Sequence, residues 1–386
     1  MPKITLLSQI IQVLDREHFN KLVNDLKTDK HQKGFNSWSH LISMIFSHLA
    51  NSQSLRDISN GLRSATGNLN HLGNVRAPSK SNLSYQNKHR DWRLFREYYY
   101  ALQKNLGQHP GLKQVKFRIK SKILFLDATT ITLSLSLFNW AKYRTKKGAI
   151  KLHTLLDYDG NLPVYVNITD GKTADNKGAY DIPLLKNSVI VADRFYNDFS
   201  LLNIWDSKEL FFVIRHKENL KFRTIKENDL PDDRHHHILK DEIIELTGNA
   251  KKNYPKKLRR VAVWDEENKQ TIELITNQFR WSCNTIGELY KSRWQIEIFF
   301  REIKQLLHIK SFIGTSPNAV LIQIWTAMIT ILLLKYLKAK AKYKWHLSNL
   351  VAFIRLNIFV KIDLQKWLDD PFIKPTKPPD KVKEGV

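Results

Sequence analysis

Apolar residues recur at spacings of three and four in Leu6, Ile10, Ile11 and Leu14, and again in Trp38, Leu41, Ile42, Ile45, Phe46 and Leu49. That period is helical, and it predicts a helical domain over residues 1–113. Within it, SLRDISNGLRS (54–64) and PSKSNLSYQNKHR (78–90), the latter with Ser79 or Ser81 as a cap, predict a helix-turn-helix-like pair with a longer connection than a tight turn. From Gln114 the period shortens to that of β-strands in KILFLDA (122–128), AIKLHTLLDY (149–158), LPVYVNITD (162–170), SVIVADRF (188–195) and LFFVIRH (210–216). One helical segment, NDFSLLNIWDS (197–207), interrupts them. Strands followed by alternating strand and helix predict a mixed α/β sheet covered by helices.

Residues 217–270 break that alternation. They hold a charged strand-like run, HHHILKDEIIEL (235–246), and then RRVAVWD (259–265), which turns at EENK into TIELITN (271–277), so the interval reads as a β-rich insertion. A long helix is expected from about Asn284 to Leu307, closing an α/β domain that spans 114–345. The stretch Ala319 to Leu337 is as long and apolar as a bilayer span of ~20 residues, but Gln323, Thr326, Thr330 and Lys335 interrupt it, and a buried core helix is the reading adopted. Residues 346–386 supply one more amphipathic helix, HLSNLVAFIRLNIF (346–359), and a Pro/Lys-rich tail expected to be disordered.

Charge changes the picture. With 62 Lys and Arg against 37 Asp and Glu, the net charge is +25, far beyond the magnitude of ~2–8 that solubility calls for. The excess divides as +9, +8 and +8 over residues 1–113, 114–308 and 309–386. A charge spread this evenly suits a long polyanion laid across several domains, not a detachable basic tail. The single cysteine, Cys283, excludes an internal disulfide and a cysteine-rich zinc site. The amino terminus lacks a signal-peptide pattern, and a cytoplasmic protein is expected.

Two apolar strand runs end in carboxylates: Asp127 follows KILFL and Asp193 follows SVIVA. Either alone is as well explained by a turn or helix cap. The helix LYKSRWQIEIFFREIKQLL gives the pair meaning. At about 100° per residue, Arg293, Glu297, Arg301 and Lys304 fall within about 60° of Tyr290, while Ile296, Phe299, Phe300, Ile303, Leu306 and Leu307 lie on the other side. On periodicity alone, an exposed face laced by salt bridges explains that stripe equally well.

The spaced set Tyr290-x2-Arg293-x3-Glu297-x6-Lys304, with DATT at 127–130, DRFYND at 193–198 and SFIGTSPNAVLIQIW at 311–325, resembles the insertion-sequence-4 family of bacterial DDE transposases. The resemblance covers the whole chain. It implies a ribonuclease H-like catalytic core with a β-rich insertion, preceded by an all-helical DNA-binding domain. It also implies Asp127, Asp193 and Glu297 as catalytic residues and ligands of two Mg²⁺ ions, for which Mn²⁺ substitutes. Tyr290, Arg293 and Lys304 would then contact DNA, with Arg301 auxiliary. The activity implied is cut-and-paste transposition: nicking, hairpin formation and resolution at the transposon ends, and strand transfer into target DNA. The partners implied are double-stranded DNA, as terminal inverted repeats and target, and a second copy of the chain in a homodimer on DNA; association with the nucleoid follows.

A hairpin requires an unpaired base to be held outside the stack, and Trp264 and Trp281, in or beside the insertion, are candidates for holding it. The triplet His235 to His237 is not read as a metal site, because three adjacent imidazoles cannot all face one ion from an extended strand. Two other readings are compatible with the residues: a ribonuclease H-like, structure-selective nuclease that cuts without joining, and a basic DNA-binding protein whose carboxylates are structural.

Overall fold

The computed structural model describes residues 3–32, 34–65, 69–73, 76–114, 116–133, 142–144, 147–175, 177–216, 219–230, 237–307 and 312–372. Two compact units divide the chain, one made of residues 1–102 with 321–386 and the other of residues 103–320.

The first unit is helical, as the spacing of apolar residues predicts. Its amino-terminal part holds α1 (Leu6–Ile11), α2 (Arg16–Asp25), α3 (Ser37–Ala50), α4 (Leu55–Ser64), α5 (Lys80–His89) and α6 (Arg93–Leu106). Side chains of Thr5, Asp15, Asn36, Ser54 and Ser79 cap the first five by accepting a free N–H of the first turn. Helix α3 is buried on every side from Ser37 to Leu49 and ends at Asn51 in the left-handed conformation. The pair α4 and α5 is present, joined through a short 3₁₀ turn at Asn70–Leu72 and not by a tight turn.

The carboxyl-terminal end of the chain completes this unit, whereas linear reading assigned residues up to 345 to the α/β domain. Packing explains the difference. A helix apolar on all faces must be surrounded, and the amino-terminal helices surround α11 (Pro317–Lys340): His48 Nε2 meets Thr326 Oγ1 at 3.0 Å and Trp325 lies 5.8 Å from the Tyr99 ring. The apolar window of α11 is long enough to cross a bilayer, and 83% of it is buried. Helices α12 (Leu347–Asn357) and α13 (Leu364–Asp369) follow, tied to the first helix by Leu6 N–H to Val360 O at 2.9 Å and Gln9 Nε2 to Ile362 O at 2.6 Å. The tail beyond residue 372 lies outside the described residues.

The second unit is built on one mixed sheet. In chain order it contains β1 (Ile123–Leu133), β2 (Lys142–Arg144), β3 (Lys147–Asp157), β4 (Leu162–Asp170), β5 (Val189–Ala192), α7 (Phe199–Ser207), β6 (Phe211–Arg215), β7 (Phe222–Glu227), β8 (Ile238–Leu246), α8 (Gly248–Asn253), β9 (Leu258–Asp265), β10 (Gln270–Thr276), α9 (Cys283–Ser292) and α10 (Trp294–Leu307). The core runs β4-β3-β1-β5-β6. Its first three strands form an antiparallel meander, and β5 and β6 then add parallel to β1. This is the ribonuclease H-like order, an α/β fold with both faces covered.

Two expectations are corrected. Asp127 does not end its strand, because the β-branched run Thr129-Thr130-Ile131-Thr132 carries β1 on to Leu133. The β-rich insertion continues the core sheet: β10 pairs antiparallel with β6, and β9, β8 and β7 follow it. The expected single helix over 284–307 is two. At Arg293 the ladder tightens, with Arg293 N–H on Tyr290 O and Ile296 N–H on Arg293 O, both at 3.0 Å, which are spacings of three residues and not four.

Candidate active site

Register alone brings the two aspartates together. Leu126 pairs with Ala192 and Ala192 with Ile214, so Asp127, Asp193 and Arg215 are the next residues on three adjacent parallel strands. Neighbouring strands lie ~4.8 Å apart. Leu124, Leu126, Ile190, Ala192, Phe212 and Ile214 face the apolar layer that contains α7 residues Leu201, Leu202 and Trp205. Side chains alternate along a strand, so Asp127 and Arg215 share the opposite face with Phe125, Val191 and Val213, and Asp193 continues that row. Asp193 also opens a 3₁₀ turn, accepting the Phe195 N–H at 2.6 Å.

Helices α9 and α10 bring the third carboxylate to these strands. Glu297 lies in the first turn of α10, where the helix dipole favours negative charge. Ile296, Phe299 and Ile303 are fully buried, which fixes the rotation of α10 and turns Glu297 toward β1. Arg293, at the joint between the helices, spans the two strand-borne and helix-borne acids: its Nη1 is 3.5 Å from Asp127 Oδ2 and its Nη2 is 2.9 Å from Glu297 Oε1. Its guanidinium also lies 5.4 Å from the centre of the buried Tyr290 ring.

Burial pushes the Asp127 carboxyl up to about 7. Asp193 and Glu297 add to the rise, against the opposing Arg293 charge and the Ala128 N–H. Burial likewise raises the Tyr290 hydroxyl, with Asp193 adding to the effect and Arg293 and Arg215 opposing it. For Arg293, burial disfavours the charge, but Tyr290, Asp127 and Glu297 together hold it above its ordinary value.

A cleft of about 500 Å³ opens at this point. It is lined by Asp127, Ala128, Thr129, Glu297, Phe300, Arg301, Lys304 and Gln305. Arg301 is exposed and Lys304 half-buried, and partial burial lowers the pKa of the Lys304 ammonium. The stripe seen in the sequence therefore persists across the joint at Arg293. Trp264, on β9, and Trp281, before α9, are half-buried and do not line this cleft. The exposed rings near the carboxylates are Phe195, two residues after Asp193 and 61% exposed, and Trp294, next to Arg293 and 55% exposed. Linear reading passed over both, and over Arg215, although the signal that marks Asp127 and Asp193, a charge after an apolar strand, is also present in FFVIR. Of the histidine triplet, His235 and His236 lie outside the described residues; His237 is exposed, 3.9 Å from Glu266.

The donor set suits a hard divalent cation, which takes oxygen ligands. Three carboxylates share one field, and the buried Tyr196 hydroxyl and Thr154 Oγ1, near Asp127 in charge coupling and in strand pairing respectively, have no hydrogen-bond partner among the described residues. Yet among the described residues no three Asp, Glu, His or Cys side chains stand close enough to grip an ion as they are. Arg293 stands between two of the three.

Residues 118–333 match the family model described as Transposase DDE domain, and residues 3–74 match a Domain of unknown function (DUF4372). A curated relative described as "Probable transposase for insertion sequence element IS5377", from Geobacillus stearothermophilus, is 29% identical over 239 residues, 62% of this chain and 63% of the relative. "Transposase InsG for insertion sequence element IS4", from Escherichia coli strain K12, is 23% identical over 179 residues, 43% of this chain and 39% of that one. Among solved structures, the piggyBac transposase synaptic complex with hairpin DNA overlays at a TM-score of 0.42 and 10% identity, over 98% of this chain and 85% of that one. The matched DDE domain spans more than half of the chain and encloses all three carboxylates, and by that match the chain belongs to the family of transposases with this DDE domain.

Proposed function

We propose that this chain is the transposase of an insertion sequence and that it cuts and rejoins DNA strands by in-line phosphoryl transfer at Asp127, Asp193 and Glu297. The observation that carries the reading is convergence: strand register sets Asp127 and Asp193 side by side, and Asp127 and Glu297 line one cleft together with Arg301 and Lys304. Asp127, Asp193 and Glu297 would hold divalent cations, Mg²⁺ with Mn²⁺ as substitute, which would supply activation of the attacking oxygen and stabilisation of the leaving oxygen.

The protein's own groups do the positioning. Lys304 offers a point charge and Arg301 and Arg293 offer planar forks for backbone phosphates. A half-buried ammonium gains most from an anionic partner, which suits Lys304 to a phosphate. Arg215 extends the basic side of the row past Asp193. For an unpaired base at a nicked or hairpinned end, the exposed rings of Phe195 and Trp294 and the half-buried Trp264 and Trp281 are the candidates to hold it. One site then serves nicking, hairpin formation, hairpin resolution and strand transfer.

The helical unit is proposed to bind the ends of the element. Helix α5 leaves Ser81, Asn82, Ser84, Tyr85, Lys88 and His89 exposed and carries no acid. Such a face suits phosphate and base-edge contacts in a groove. We further propose that two copies act together on two DNA ends in the bacterial cytoplasm, at the nucleoid.

Purified protein with Mg²⁺ and a plasmid carrying the element with several hundred flanking base pairs tests the reading. Excised linear DNA is expected from wild type, and none from Asp127→Asn, Asp193→Asn or Glu297→Gln, each of which should still bind DNA. Nicking without regard to the flanks would move the assignment to a structure-selective nuclease. Excision by any of the three variants at near wild-type rate would remove that residue from the site.

A further inference from the structure

We infer that Arg293 is a displaceable internal cation: it holds the place between Asp127 and Glu297 that a divalent ion takes, and DNA phosphate draws it away. The inference rests on the metal-dependent reading of the site and adds how that site is regulated.

A comparison within the same unit shows why Arg293 differs from a structural arginine. Arg259 grips Asp241 with both sides of its fork, Nε to Oδ1 at 2.8 Å and Nη2 to Oδ2 at 2.6 Å, and also donates to the main-chain oxygen of Trp281 at 2.5 Å. Both partners are almost fully buried. Arg293 has no such grip. It touches each carboxylate through a single nitrogen, one contact is long at 3.5 Å, and its buried Nε has no partner among the described residues. A bidentate pair is hard to leave; two monodentate contacts to two different acids are easier to exchange.

Position adds to this. Arg293 sits at the joint between α9 and α10, and the groups next along the cleft wall are Arg301 and Lys304, the groups suited to backbone phosphate. A phosphate arriving there offers the guanidinium the bidentate partner it lacks. Its departure leaves the oxygens of Asp127 and Glu297 without a cation beside Asp193, a donor set for an ion. Ion loading and DNA binding are then linked, and by thermodynamic necessity each raises the affinity for the other by the same factor. Without DNA, the arginine competes with the ion and weakens loading of the site.

Titration of the full-length, DNA-free chain with Mn²⁺, followed by the electron-spin signal of the free ion, tests the inference. Arg293→Gln should bind Mn²⁺ about tenfold more tightly than wild type, or more, the scale of one charge-assisted contact released. Arg301→Gln, which removes a charge from the same cleft but from neither carboxylate, should shift affinity by less than about threefold. With a fluorescent mixed-sequence duplex and Ca²⁺, the cation should tighten DNA binding to wild type and lose that effect in Arg293→Gln.

Equal Mn²⁺ affinity in wild type and Arg293→Gln, with binding in both abolished by Asp127→Asn, would overturn the inference and leave the metal site standing. Mn²⁺ binding that is absent from Arg293→Gln as well as from wild type, or indifferent to Asp127→Asn, would overturn both. Crystals of the wild-type protein soaked in Mn²⁺ decide the matter if Arg293→Gln does not fold: an ion on the carboxylates with Arg293 swung off both supports the inference, and an ion with Arg293 still bridging refutes it.

Discussion

His40 makes the helical unit sensitive to acid. Its ring is fully buried in α3, packed against Phe35 and Phe95 at 5.7 and 5.5 Å, and its Nε2 meets Asn87 Oδ1 at 2.8 Å. An amide oxygen accepts, so the folded ring carries its proton on Nε2 and is neutral. Burial first, and then the Arg90 charge, push its pKa from 6.5 down to about 3, against a smaller upward pull from Asn87. The folded value lies below the unfolded one, so the associated stability is present above pH 6.5 and is lost as pH falls from there toward 3. Between pH 7 and pH 5 the unfolded chain takes up a proton at this position that the folded chain refuses, which amounts to about 2 kcal/mol. His40→Gln keeps an N–H for Asn87 and removes the titration. Native-state hydrogen exchange of α3 amides, corrected for the intrinsic pH dependence of exchange, reads the opening energy of this unit by itself. The gap between wild type and His40→Gln should narrow or reverse by about 2 kcal/mol from pH 7 to pH 5. Parallel pH profiles for the two proteins would refute the reasoning.

Lys304→Ala should weaken binding to duplex DNA roughly equally for all sequences and reduce the slope of log affinity against log salt by about 1; an unchanged slope in anisotropy titrations would remove Lys304 from phosphate contact. Asp241→Ala strands the buried Arg259 charge and should cost about 3–5 kcal/mol in urea unfolding of the sheet unit, followed by exchange in β8 and β9; a loss below about 1 kcal/mol would mean that water reaches Arg259. Arg215→Gln should weaken DNA binding while leaving Mn²⁺ affinity within about twofold, since Arg215 joins the row without an ion pair to either aspartate; loss of Mn²⁺ binding would make it part of the ion site.

Some of this was legible in the chain and some was not, for reasons that differ by residue. Tyr290, Arg293, Glu297, Arg301 and Lys304 were legible because a helix maps spacing directly onto a face, and the mapping survived a tightened turn at Arg293 because three- and four-residue steps both keep neighbours on one side. The strand runs were legible by their period of two, and the helices of the first unit by theirs. Where β1 ends was not, since DATTITL reads equally as a turn or as more strand until β3 pairs along its whole length.

The residue pattern by itself determined the mixed α/β core, the helical amino-terminal part and the strongly basic charge, and the family resemblance marked Asp127, Asp193 and Glu297 as a set. Pairing that joins distant segments decided the rest. Adjacency of Asp127 and Asp193 comes from the register of β1 on β5, across 66 residues of sequence. The sheet extension comes from β10 choosing β6 as its neighbour, and the return of α11 to α1–α6 from the need to surround an apolar helix. The placing of Arg293 between two carboxylates belongs to the same class, because no local rule says which acid a guanidinium meets once α10 is rotated onto the strands. Local periodicity is written in neighbours a few residues apart, whereas partners are chosen by burial and charge summed over the whole fold.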